Sequence, residues 1–227
     1  METELKTYKI NDVEFRFHDI KGSITVDFVM SDIATDAYGL SELPDDQSII
    51  LDCGAHVGTI AIYLAKRFPK AKVLAIEPFP LNYENLLKNI KENDVTNVYA
   101  LNFGLSGDGK PIGLTAEMHN TGSANQQYEC EHNIETTTLD TLFKFAIPEN
   151  EIVSFLKMDI ERAEYETLWA FTKWDRVKDL SVEIHDRPDC LKPNEGWLDK
   201  ILDFEAWLKT KPILGKLWTP AHELYER

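Results

Sequence analysis

Cysteine is scarce in this chain and shows no pairing pattern: Cys53, Cys130 and Cys190 are odd in number and far apart. They make no C-x-x-C motif, which excludes a zinc knuckle or a disulfide framework. Positive charge is equally short. Against 39 Asp and Glu stand 24 Lys and Arg, a formal net charge of −15. That balance leaves no basic footprint for a nucleic-acid backbone or an anionic lipid surface. No apolar run approaches the ~20 residues that span a bilayer. The opening Met1-Glu2-Thr3-Glu4-Leu5-Lys6 has neither a basic n-region nor an apolar h-region. The expectation is a cytoplasmic protein with no nucleic-acid and no membrane partner, Cys53 being a small buried hydrophobe.

What is present is a globular composition, 43% apolar and 28% charged over 227 residues, with room for one α/β domain and appendages. Residues 1–44 read as a β-rich extension. Val13, Phe15 and Phe17 alternate with polar neighbours, as do Ile24, Val26 and Phe28, with a turn at Lys21-Gly22. Residues 45–227 then alternate strand and helix. Strands are expected at 49–53, 73–77, 98–101, 153–159 and 180–184, with a terminal one at His222–Tyr225. Helices are expected at 59–67 and 80–92, then around Tyr165–Thr172 and Trp197–Leu208. Within 111–140, turn residues and few helical cues point to an inserted β-hairpin or lid with a polar tip at His119–Asn125. The fold class expected is α/β: a Rossmann-like, doubly wound, mostly parallel sheet with helices on both faces.

The most specific feature is Leu51-Asp52-Cys53-Gly54-Ala55-His56-Val57-Gly58, closed by Ile76-Glu77-Pro78. A strand, a glycine turn, an amphipathic helix and a second strand ending in an acid form the front of a nucleotide-binding βαβ unit. A dinucleotide fingerprint, G-x-G-x-x-G, has a glycine that lets the backbone approach a pyrophosphate. This turn lacks it, and Asp52 would repel one. Both features disfavour a nicotinamide-dependent oxidoreductase. They suit a phosphate-free, cationic adenosine ligand, S-adenosyl-L-methionine. Asp52 and the Gly54–Gly58 turn are then the amino-acid pocket and Glu77 the ribose clamp, with Pro78 also counted among the cofactor-binding residues.

Ligands of open α/β sheets bind outside the carboxyl ends of the strands. Those ends bring Asp52, Glu77, Asn102–Ser106, Asp159 and Glu183–Asp186 to one rim. Asp159, Glu161, Glu183 and His185 could make an oxygen-rich magnesium or manganese site. No two of them fall in a recognised metal spacing, so no metal is expected.

The same blocks, with Glu77-Pro78-Phe79-Pro80, Leu105-Ser106-Gly107-Asp108-Gly109, Thr138-Leu139-Asp140, Leu156-Lys157-Met158-Asp159-Ile160-Glu161-Arg162-Ala163-Glu164 and Val182-Glu183-Ile184, resemble the FkbM-like methyltransferases. The resemblance covers about residues 45–190 and places the chain among class I S-adenosylmethionine-dependent enzymes. It implies methyl transfer to an acceptor heteroatom, often a hydroxyl on a sugar or secondary metabolite. Carried over by position, Asp52, Gly54 and Gly58 hold the methionine part, Glu77 the ribose, and Phe79, Gly104 and Leu105 the adenine. His56 lies inside the turn and lines the cofactor pocket. Arg162 stands where members commonly have glycine. It either strains a backbone needing positive φ or reaches the acceptor.

The sulfonium is already a good leaving group, so the enzyme aligns acceptor, methyl and sulfur and handles the acceptor's proton. Asp159 is the leading candidate for that work, followed by Glu161 and Glu164, then Glu183 with His185. Arg162, Glu164 and Asn125 are assigned to acceptor contact. Two further readings stay open: N-methylation of a peptide side-chain amide, and a non-catalytic S-adenosylmethionine-binding protein.

Overall fold

The structure, a computed structural model, is described over residues 2–115, 123–124, 132–185, 197–213 and 216–218. The chain opens with an antiparallel hairpin of β1 (Thr3–Ile10) and β2 (Val13–Ile20). Asn11 and Asp12, both at positive φ, make the two-residue turn whose twist matches the strands. α1 (Thr25–Ala34) follows, then β3 (Ile49–Cys53), α2 (Thr59–Arg67), β4 (Lys72–Ile76), α3 (Pro80–Glu92) and β5 (Val98–Leu101). Short strands come next: β6 (Gly104–Leu105), β7 (Ile112–Thr115), β8 (Ser123–Ala124), β9 (His132–Ile134) and β10 (Thr136–Thr137). The chain continues through α4 (Leu139–Ala146), β11 (Val153–Met158), α5 (Glu164–Ala170), β12 (Val177–Glu183), α6 (Trp197–Leu208) and β13 (Lys216–Trp218).

Six strands form the central sheet in the order β13-β12-β11-β3-β4-β5, every neighbouring pair parallel. The chain builds outward from β3 to β5, returns, and builds outward again from β11. The winding direction therefore reverses between β3 and β11, and the carboxyl ends of these two strands open a crevice. This is the doubly wound α/β fold expected.

Two apolar layers cover the sheet. Ile49, Leu51 and Cys53 of β3 face one way, with Leu156, Leu180 and Val182, against Phe143, Leu168 and Phe204. Ile50 faces the other way with Val73 and Phe155, against Ile60, Leu64 and Leu86 and the hairpin's Phe15 and Phe17. Strand side chains alternate between faces, so Asp52, Lys157, Glu183 and His185 share the second face with Ile50 and Phe155.

Helix α3 does more than pack. Of its expected stripe, Leu86 is in the core and Tyr83 and Ile90 pack against it, while Leu87 is exposed; Asn82, Asn85 and Asn89 are buried beside them. Asn89 accepts from His18 N–H at 2.7 Å and donates to His18 C=O at 3.0 Å. Asn93 does the same for Arg16, at 3.1 and 2.6 Å. Residues i and i+4 of a helix stand ~6 Å apart, close to the ~6.7 Å between alternate strand residues. Two side-chain amides thus stand in for a neighbouring strand along the open edge of β2.

Three expectations are corrected. Ile24, Val26 and Phe28 do not form a strand: Val26, Met30 and Ile33, at helical spacing, turn α1 into the core, while Phe28 is 62% exposed. The hairpin partner of Val13–Ile20 lies upstream, in β1, and the turn is Asn11-Asp12 rather than Lys21-Gly22. The 111–140 segment holds a three-stranded sheet, β8-β7-β9, and β10 pairs with β6. It then leads into α4, capped by Thr138, whose side chain accepts from Thr141 N–H. Most of the His119–Asn125 tip, including Asn125, and His222–Tyr225 lie outside the described residues.

Candidate active site

A cavity of about 430 Å³ opens at the carboxyl ends of β3, β4, β11 and β12, at the reversal of the sheet. One side is built from the glycine turn and the strand-end acid: Gly54, His56, Glu77 and Pro78, with Gly104 and Leu105 beyond. The opposite side is Lys157, Asp159, Glu161, Glu183 and His185. A third wall comes from the N-terminal segment, through Thr25, Phe28, Val29, Asp32 and Tyr38.

Gly54 is what allows the two halves to meet. Its φ is +80°, and a Cβ there would stand 1.7 Å from the Asp159 carbonyl oxygen. No side chain fits. Gly58, at φ +92°, serves packing: a Cβ would stand 2.4 Å from Leu86 Cδ1, where α2 meets α3.

Glu77 is buried with both oxygens engaged. Oε2 accepts from His56 N–H and Oε1 from Phe79 N–H, each at 2.8 Å, and Asn82 Nδ2 lies 3.4 Å from Oε1. Burial outweighs these bonds and pushes its pKa up to about 7. The left-handed conformation of His56, φ +52°, turns its amide toward that carboxylate.

Beneath the opposite wall lies a buried ion pair. Asp52 is wholly enclosed, and neither of its oxygens has a hydrogen-bond partner. Its cross-strand neighbour is Lys157, whose Nζ stands 3.5 Å from Asp52 Oδ1, 3.3 Å from Asp159 Oδ2, and donates to Gly54 C=O at 3.1 Å. Burial raises the Asp52 pKa against the pull of Lys157. For Lys157, burial would lower the pKa, but Asp159 and Asp52 outweigh it and the ammonium stays charged.

Around His185 the carboxylates crowd. Nδ1 stands 3.0 Å from Glu164 Oε1, while Nε2 lies 3.6 Å from Glu161, 3.6 Å from Glu183 and 3.9 Å from Asp159. Burial alone would lower the imidazole's pKa. The Glu164 hydrogen bond and the charges of Glu164, Asp159 and Glu161 raise it instead, to about 10. Glu183 is raised to about 9 by burial and the Asp159 charge. Burial opposes ionisation of Asp159 too, yet Lys157 and His185 hold its carboxyl below the ordinary value.

This arrangement can be compared with known proteins. The model of the FkbM methyltransferase domain matches residues 52–209, well over half of the chain. The chain belongs to the FkbM methyltransferase family. It is 28% identical over 205 residues to the methyltransferase sdnD of Sordaria araneosa, covering 75% of this chain and 78% of that protein. With methyltransferase 1 of Beauveria bassiana it shares 25% identity over 188 residues, covering 72% and 75%. Among solved structures, it is similar to precorrin-6y C5,15-methyltransferase of Geobacter metallireducens: 14% identity, TM-score 0.42, covering 73% and 65%.

In this S-adenosylmethionine-dependent methyltransferase, the cavity gathers most of the residues singled out from sequence: Gly54, His56, Glu77, Pro78, Gly104, Leu105, Asp159, Glu161, Glu183 and His185. Others lie off its wall. Asp52 lies beneath Lys157, Gly58 packs on α3, and Phe79 is buried beside Leu114 and Ile134, lending Glu77 its amide rather than its ring. Glu164, assigned to acceptor contact, is fully buried. It accepts from Ile160 N–H at 3.0 Å and holds His185. Arg162 lies off the wall at φ +83°, next to Glu161 at φ +53°. The backbone keeps the glycine-like conformation although the residue is arginine.

Sequence reasoning missed Lys157 and the N-terminal wall. Lys157 was visible as a lysine inside an otherwise apolar strand, a position that demands a charged partner. The α1 residues carried no comparable signal, because their role arises only from how α1 packs.

Proposed function

We propose that this enzyme transfers the methyl group of S-adenosyl-L-methionine to a hydroxyl of a sugar or secondary-metabolite acceptor. The observation that carries the reading is a single crevice at the sheet's reversal with carboxylates on two opposed walls, Glu77 on one and Asp159 with Glu161 and Glu183 on the other. Such a crevice disfavours phosphate and favours a cationic donor. Glu77 takes the ribose hydroxyls, with its two backbone amides fixing the carboxylate. Gly104 and Leu105 flank the adenine. Gly54, His56 and Lys157 surround the amino-acid end, and Asp52 acts from below by offsetting the Lys157 charge.

The donor brings an activated methyl group on a sulfonium, which leaves as a neutral thioether. The chain's own contribution is alignment and charge. Attack by a neutral hydroxyl builds positive charge on its oxygen, and Asp159, held ionised by Lys157 and His185, lies where that charge is stabilised. The hydroxyl proton becomes acidic as the new bond forms and passes to the carboxylate cluster. Val29, Ile160 and Phe28 offer apolar surface for the acceptor's body.

Calorimetric titration with S-adenosylhomocysteine tests the donor side, and Glu77→Ala should weaken binding by about 1–3 kcal/mol. Mass spectrometry of candidate glycosides, phenols and peptides incubated with labelled donor tests the acceptor side. Label on a hydroxyl carries the reading. Label on a peptide amide, or none on any acceptor, removes it.

A further inference from the structure

Helix α1 carries two apolar faces, and only one of them belongs to the core. Val26, Met30 and Ile33 fall on one side and are buried. Ile24, just before the helix, falls on another side with Thr25, Phe28, Val29 and Asp32, and all five line the cavity. At 100° per residue this second face spans about 140° of arc. Ile24 is 47% exposed and Phe28 62%. A lone exposed apolar side chain needs no explanation. Two on the face that walls a reaction cavity do, because they leave water only when a ligand covers them.

The face is held in place. Asp27, beside Phe28, accepts from Lys6 Nζ at 2.6 Å and from the Tyr8 hydroxyl at 2.5 Å, and Lys6 also donates to Ser23 C=O. Strand β1 thus grips α1 from outside and leaves Phe28 on the cavity side. The polar end of the same face lies toward the carboxylates. Tyr38, buried and also on the cavity wall, is acted on by the charges of Lys157, Asp159, Glu183 and Asp32. Along the helix, Phe28 stands ~6 Å from Asp32 and Ile24 ~12 Å, at 1.5 Å per residue. That is the length of one or two rings.

We infer that Ile24, Phe28 and Val29 select the acceptor: a hydroxyl compound whose reacting oxygen meets Asp159 while a ring-sized apolar body lies along α1. The inference rests on the methyltransferase reading and narrows it. A free sugar, polar on every side, leaves these side chains wet. An acceptor with an aromatic or alicyclic body covers them. All three residues precede 52–209, the stretch that matches the family's domain. The selectivity is therefore built outside that stretch.

The test pairs acceptors that share a reacting group and differ in apolar body: phenol with 2-naphthol, and methyl glucoside with 2-naphthyl glucoside, each with labelled donor. The larger member of a methylated pair should have the higher kcat/KM, by about 10-fold or more. Phe28→Ser and Ile24→Ser should each erase much of that preference through KM, and Phe28→Leu should restore part of it. Affinity for S-adenosylhomocysteine and the melting temperature should stay at wild-type values. A preference that survives both serine changes, or one for the smaller member, overturns the proposal.

Where no pair is methylated, fluorescence titration of 2-naphthol, with and without S-adenosylhomocysteine, reads the wall directly. Binding weakened about 10-fold by Phe28→Ser supports it; no binding, or unchanged binding, overturns it. A dimer that Phe28→Ser splits, seen by sedimentation, makes the face a subunit contact and overturns it too. Wild-type protein that binds 2-naphthol through Phe28 but not S-adenosylhomocysteine keeps the wall and removes the methyltransferase reading. Donor binding with no dependence on Phe28 does the opposite.

Discussion

Replacing Glu77 by glutamine should change how stability depends on pH, and the size of the change follows from the site. Burial lifts the Glu77 pKa from an ordinary 4.5 to about 7, against the two backbone amides that favour the charged form. The folded state therefore binds a proton at pH values where the unfolded chain has released it. Stability contributed this way is fully present below the unfolded pKa and is lost as pH rises through the folded one. Each pKa unit is worth 1.36 kcal/mol, so the loss between about pH 4.5 and 7 totals about 3 kcal/mol. Glutamine does not titrate and shows no such loss. It presents an NH₂ group to one of the two amides, which costs about 1–3 kcal/mol at every pH. The slope, rather than the offset, is therefore the readout. Urea unfolding of both proteins from pH 5 to pH 8.5 measures it. The wild-type advantage should shrink by about 1.4 kcal/mol per pH unit up to pH 7 and then level off. Parallel curves would refute the reasoning and mean that Glu77 ionises as in water. Because ribose hydroxyls donate to the ionised carboxylate in the proposed complex, donor affinity should rise over the same window.

Lys157→Met should destabilise the protein by about 3–5 kcal/mol, because Asp52 is left buried without its cation. Adding Asp52→Asn should recover a large part of that loss, and a double-mutant cycle from urea unfolding that shows simple additivity would contradict the pairing. Arg162→Gly should stabilise the fold by about 0.5–1 kcal/mol, since relief of a left-handed side chain exceeds the added freedom of the unfolded chain. A melting temperature lowered by the change would show that the arginine's contacts outweigh its strain. Asn89→Ala removes bonds to His18 N–H, His18 C=O and Val57 C=O. The expected cost is about 2–3 kcal/mol, with faster hydrogen exchange at the His18 amide, and unchanged protection there would count against the strand-mimic description.

Elements with strong local signals were legible at residue level. Strand 49–53 and helix 80–92 have the boundaries their patterns indicate, the helix because Pro80 opens it. Residues 24–28 misled because their alternation is too short to exclude a helix. Met30 and Ile33, further along, complete a helical spacing with Val26. Helix α4 went unnoticed behind a turn-rich segment, although Thr138 caps it and Leu139, Leu142 and Phe143 bury one face. Glu164 was assigned to acceptor contact from sequence. In the fold it is fully buried, taken up by Ile160 N–H and the His185 ring.

By itself the sequence determined the periodicities, and with them the strands, most of the helices, the glycine turn and the acid that ends the second core strand. These are local properties, written in consecutive residues. Tertiary structure decided which strand ends become neighbours. Only the reversal between β3 and β11 brings Gly54 against Asp159 and Asp52 against Lys157, and only the register of β11 with β12 gathers the carboxylates around His185. Charges tens of residues apart acquire their pKa values and partners from that proximity, because burial and Coulomb forces depend on distance in space and not along the chain.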